Sequence, residues 1–298
     1  MRGSTMSITR ALLISAIAFL FLFASAAAKA ANPWKDKNVK IGDIKVHYIE
    51  MGSGERSIVF IPEWTMAAEI FKEQLPYFAA RGFRVIALDP RSQGKTTKTE
   101  EGNTYRQQAA DLHAFLKTLR LEHASLVGWS AGVTLLLEYI TSPESIRPEN
   151  LIFVDGQSMG YKTGDYPGGW TMQEARDFIL AHQEDRAKAV DKFVRSMFKT
   201  SQSAIAYKEI IESSLKTPYG AACALFFDLF TGDRRIALEH VYVPTLIIVP
   251  QENRLVGEYM QSRTPRSKLE VVSDAGHALF LEKPQTFNQI LESFLGEY

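Results

Sequence analysis

From residue 57 to residue 273 the chain carries six short, predominantly apolar runs, at 57–62 (SIVFIP), 83–89 (FRVIALD), 124–128 (ASLVG), 150–155 (NLIFVD), 243–250 (VPTLIIVP) and 268–273. Strands without polar alternation are buried on both faces, as in a parallel sheet. Between the runs lie segments with the 3.6-residue period of amphipathic helices, at 66–80, 104–119, 131–141, 255–263 and 284–296. Residues 39–41 and 44–50 (IKVHYIE), joined by Gly42-Asp43, read as an antiparallel hairpin. Together these features predict a doubly wound, mostly parallel, eight-stranded α/β sheet.

One stretch breaks the rhythm. Residues 157–240 hold no convincing strand but several helical patterns, such as 172–183, 186–198 and 219–230. Placed after the sixth strand, this insertion is expected to form a helical cap over the carboxyl edge of the sheet, where open α/β sheets bind ligands. The core then comprises 31–156 and 241–298, and the cap 157–240.

The first thirty residues stand apart. They contain Arg2, Arg10 and Lys29 and no acid, and 11–28 (ALLISAIAFLFLFASAAA) is apolar throughout. Ala28-Lys29-Ala30 supplies the small-x-small pattern of a signal-peptidase site. The expectation is a cleaved signal peptide at 1–30 and an exported, periplasmic or secreted protein with no stable membrane span. The alternative is a retained N-terminal anchor, since eighteen residues just suffice to cross a bilayer. Without this segment 31 bases face 34 acids, a net charge of about −3, so no basic field remains for nucleic acid. The single Cys223 excludes an intramolecular disulfide. No clustered His/Cys spacing suggests a metal, and no glycine-rich phosphate loop suggests a nucleotide. The sequence therefore implies no cofactor and a small-molecule partner.

Chemistry concentrates in two places. Gly128-Trp129-Ser130-Ala131-Gly132 follows a buried strand and opens a helix, the context in which a tight turn holds a serine nucleophile in strained backbone. The helix N-terminus favours developing negative charge, and the Ala131 N–H is available to an oxyanion. A serine hydroxyl also needs a base, and histidine titrates in the useful range. His277, in Asp274-Ala275-Gly276-His277 after the last strand, is the candidate, because its loop lies at the same sheet edge as Ser130. The other five histidines lie in the hairpin or on helices and their flanks.

These segments resemble the α/β-hydrolase superfamily, in the capped branch that includes serine esterases, cofactor-free haloperoxidases, epoxide hydrolases and haloalkane dehalogenases. The resemblance rests on IVFIPEWTM (58–66), VIALDPRSQGKT (85–96), LVGWSAG (126–132), VPTLIIVPQEN (243–253) and DAGHALFLEKPQTFNQIL (274–291). It implies a Ser130–His277–acid triad and a second oxyanion donor from the backbone of Trp64. Two departures stand out. Glu63 occupies a position that is glycine in many relatives, where backbone freedom is commonly needed. Asn253 occupies the usual position of the triad acid, leaving Asp155 after the sixth strand, or Glu252 as the alternative.

The expected function is a serine hydrolase cleaving a small or medium carboxylic ester, thioester or lactone through an acyl-enzyme. Ser130 where dehalogenases and epoxide hydrolases carry aspartate disfavours those chemistries. The alternatives are a catalytically weakened binding protein of the same fold, or a cofactor-free perhydrolase or haloperoxidase. Trp170, Met197, Phe198, Phe226, Phe227 and Phe230 are available to line an apolar pocket.

Overall fold

Successive side chains of a strand point to opposite faces, so a strand covered on both sides needs no polar position. In the computed structural model, which describes residues 33–298, β3 (Ser57–Ile61) sends Ile58 and Phe60 into one apolar layer and Val59 and Ile61 into the other. β5 (Ser125–Trp129) divides in the same way, with Leu126 on one side and Val127 and Trp129 on the other. The eight strands form one sheet in the order β1-β2-β4-β3-β5-β6-β7-β8. β1 (Lys35–Ile41), β2 (Ile44–Met51) and β4 (Arg84–Leu88) pair antiparallel in turn. The remaining pairings, through β6 (Leu151–Val154), β7 (Thr245–Pro250) and β8 (Ser267–Val272), are parallel.

The hairpin is longer than the apolar pattern indicates, because β1 extends back to Lys35, which sits opposite Glu50 on β2, and the Lys37 ammonium makes an ion pair with the same glutamate. The helix expected over 66–80 is divided into a single turn at Ala68–Phe71 and α1 (Gln74–Ala79). Pro76 explains the division: in the interior of a continuous helix it would remove one hydrogen bond and clash with the preceding turn. The first turn is instead held by Asp89, whose Oδ1 accepts from the Ala68 N–H at 2.7 Å.

α2 (Tyr105–Leu119) and α3 (Ala131–Thr141) cover one face of the sheet, whereas α1 and the C-terminal helix Pro284–Glu297 cover the other. Between β6 and β7 run α4 (Met172–Glu184), α5 (Arg186–Ser196), α6 (Ala204–Ser214), α7 (Tyr219–Thr231) and the short α8 (Arg235–Leu238). Thr171 and Glu174 form a reciprocal capping box at α4, and Asp185 and Ser203 cap α5 and α6. Among the described residues no helix is long and apolar enough to cross a membrane. The segment 1–30, read above as an export signal, lies outside the described residues.

Candidate active site

The carboxyl ends of β3, β5, β6, β7 and β8 bring their following loops to one cavity of about 270 Å³. Its wall includes Glu63 and Trp64 after β3, Ser130 and Ala131 after β5, Asp155 after β6, Asn253 after β7 and His277 after β8.

Ser130 sits at φ 53°, ψ −113°, in a region that L-residues rarely adopt. Two close approaches hold it there. A Cβ on Gly128 would lie 2.6 Å from the Gly132 carbonyl group, and one on Gly132 would lie 2.5 Å from the Ile61 oxygen. The Ser130 N–H also donates to the Val154 carbonyl at 2.8 Å. Ala131 follows as the first residue of α3, and the leading N–H groups of a helix have no intrahelical acceptor.

His277 is oriented from three sides. Its carbonyl accepts from Trp129 Nε1 at 3.0 Å, and the next residue's N–H donates to the Met197 carbonyl at 2.9 Å. Its Nδ1 lies 2.6 Å from Asp155 Oδ2. Asp155 is buried, has φ 42°, and accepts two further bonds from Asn253 Nδ2, at 2.9 and 3.1 Å. Asn253 therefore contacts the carboxylate rather than the imidazole. Two positions 98 residues apart in sequence meet here, and no local pattern announces the pairing. Glu252 is exposed and lines no part of the cavity.

Glu63 points inward. Its side chain is 6% exposed and Oε2 lies 3.4 Å from His277 Nε2, an ion-pair contact without a hydrogen bond. Among the described residues no hydrogen bond joins Ser130 to that nitrogen. Arg91 does not reach Glu63, being paired with Asp43 and Asp111 at 2.8 Å each. Position 63 does not need glycine's backbone freedom: the left-handed residue of this loop is Thr65, at φ 62°. Gln93, a clamp the sequence does not reveal, accepts from the Thr65 N–H at 3.0 Å. It also donates to the carbonyls of Glu63 and Met66, at 3.1 and 3.0 Å.

Two carboxylates thus flank one imidazole. Burial opposes a charge on the ring, but the Glu63 charge and the Asp155 hydrogen bond outweigh it and push His277 up to about 10. Three of the other five histidines have ordinary partners: His47 bonds Asp89 and Asp36, while His182 and His240 bond carbonyls of their own helical turns. Among the described residues no group of three or more His, Cys, Asp or Glu side chains is arranged to hold a metal ion.

The inserted helices supply the apolar wall. Trp170, Met197, Phe226 and Phe230 line the cavity, whereas Phe198 does not and Phe227 is 67% exposed. The Trp64 ring is buried against Phe178, Phe193 and Phe226, and its Nε1 donates to the Ala222 carbonyl at 2.8 Å. It ties the loop after β3 to α7.

A model described as the alpha/beta hydrolase family matches residues 58–290. The chain is 26% identical over 250 residues to AB hydrolase superfamily protein YisY of Bacillus subtilis, covering 82% of this chain and 93% of that one. It is 23% identical over 271 residues to the human serine hydrolase BPHL, covering 86% and 85%. The crystal structure of a bromoperoxidase from Bacillus anthracis matches with a TM-score of 0.82 at 26% identity, over 88% of this chain and all of that one.

Proposed function

Because the chain belongs to the alpha/beta hydrolase family, we propose that it is a serine hydrolase of small or medium carboxylic esters, thioesters or lactones. One observation carries this reading: Ser130, on its strained turn, shares a largely apolar cavity with a histidine whose Nδ1 is held by Asp155. In the proposed reaction Ser130 Oγ attacks the carbonyl carbon and His277 Nε2 takes its proton. The N–H groups of Ala131 and Trp64 stabilise the tetrahedral oxyanion, His277 returns the proton to the leaving group, and water then hydrolyses the acyl-enzyme. The apolar run at 11–28 is read as an export signal, giving an enzyme of the periplasm or the exterior.

Glu63 sets the pH at which this chemistry runs. Only neutral imidazole can take the serine proton, and a histidine held near 10 is almost wholly cationic at neutral pH. Hydrolysis of short-chain nitrophenyl esters should therefore rise with pH through the alkaline range, with kcat/KM reaching half its maximum near pH 10. Glu63→Gln keeps the shape and removes the charge, so the rising limb should move toward neutrality. At neutral pH kcat/KM should increase about tenfold or more, equivalent to about 1.4 kcal/mol. A tenfold loss instead would make Glu63 a working base. The position of Glu63 also favours a second reading, a binding protein of this fold with weakened catalysis, for which neither protein would turn over any ester at any pH. A perhydrolase would use the same acyl-enzyme with hydrogen peroxide in place of water, a reading favoured by the likeness to the bromoperoxidase.

A further inference from the structure

The largely apolar cavity has one polar corner that the proposed chemistry does not use. Ser158, just past β6, is 1% exposed, and its Oγ has no hydrogen-bond partner. An unpaired buried hydroxyl is unfavourable, so it is retained where something else can satisfy it. Beside it lies Arg234, whose backbone N–H donates to the Ser158 carbonyl at 2.7 Å. Both residues line the cavity.

Arg234 is 8% exposed and links the core to the inserted helices. Its Nε donates to Glu138 on α3 at 2.8 Å, and its Nη2 to Asp228 on α7 at 2.7 Å. Gly232 makes room for the guanidinium, since a Cβ there would lie 1.6 Å from Nη1. Nη1 also donates to the Asp228 carbonyl at 3.3 Å, so of the five guanidinium N–H groups one on each terminal nitrogen is left free. Glu138 lies about two turns along α3 from Ala131, which sets the corner beyond the reacting carbonyl.

We propose that Ser158 Oγ and Arg234 form a second recognition point for a neutral oxygen acceptor, such as a ketone, at the far end of the substrate. The structural role of Arg234 as a linker accounts for its two ion pairs but not for the unpartnered Ser158 hydroxyl. Neutrality follows from the charges present. Glu138 and Asp228 already balance Arg234, and Glu63 and Asp155 face His277, so a substrate carboxylate would meet an excess of negative charge. The inference deepens the hydrolase reading by naming a substrate class, and its test separates the two.

Calorimetric binding to the Ser130→Ala protein reads the corner without turnover. Methyl acetylbutyrate, which carries a ketone near the end of its acyl chain, should bind about fivefold more tightly than methyl hexanoate. Adding Ser158→Ala should bring that ratio close to one. Tm should stay within about two degrees of the Ser130→Ala protein, because the backbone bonds of Ser158 to the Tyr166 hydroxyl and to Arg234 remain in place. Monomethyl adipate, with a carboxylate at the same end, should bind most weakly. Equal affinities for ketone and hydrocarbon esters, a ratio untouched by Ser158→Ala, or tightest binding of the adipate would each overturn the proposal. Turnover of methyl hexanoate by the unsubstituted protein tests the hydrolase reading separately. Turnover with equal affinities sinks the polar corner alone, and a ketone preference without turnover of either ester sinks the hydrolase reading alone.

Discussion

Replacing Ser130 by alanine should lower ester turnover by roughly a thousandfold or more, while Tm stays within about two degrees of the parent. The two effects separate because the elbow is held by backbone contacts: the Ser130 N–H on Val154 and the glycines at 128 and 132 remain in place. Alanine keeps the same left-handed φ, so the turn gains no new strain. His277→Ala should cost turnover to the same order, since an uncharged serine hydroxyl without a base is a poor nucleophile. The double variant should be little worse than either alone, as expected of residues acting as one unit. Residual activity above about a tenth of the parent in either single variant would remove that residue from the proposed triad.

Asp155→Asn should lose on the order of a hundredfold or more in kcat, with the ester KM little changed. The carboxylate holds Nδ1 at 2.6 Å and supplies the negative charge that stabilises an imidazolium formed in the reaction. An amide at that position offers no charge and confronts the amide of Asn253. Glu252→Gln, by contrast, should leave turnover within about twofold, because an exposed side chain outside the cavity has no route to His277. The reverse ranking would move the acid to the loop after β7. Equal, small losses would mean that neither carboxylate serves the histidine.

The parts of this molecule that were legible in the sequence are those written in local pattern. The central strands lack alternation because each is covered on both faces, so the parallel sheet could be read from runs such as SIVFIP and VPTLIIVP. Ser130 was legible because the glycines around it serve close approaches that only a strand-to-helix turn requires. What escaped the sequence depends on where side chains point. The apolar period over 66–80 outweighed Pro76, which divides the helix. Glu63 stands where relatives often have glycine, yet the strained backbone of its loop is carried two residues later, by Thr65, with Gln93 holding the loop around it. No periodicity distinguishes a Glu63 that faces solvent from one that faces His277. The contact of Asn253 with Asp155 and the unpartnered hydroxyl of Ser158 are likewise products of tertiary packing.

The central claim is that Ser130 is a nucleophile activated by a histidine whose proton Glu63 helps to retain. Labelling with a fluorophosphonate tests it most directly, followed by intact mass and peptide mapping over a range of pH. The account predicts one adduct per chain, on Ser130, formed at a rate that climbs from neutrality toward pH 10 and absent from the Ser130→Ala protein. A chain that stays unlabelled at every pH, or an adduct that persists without Ser130, would contradict it.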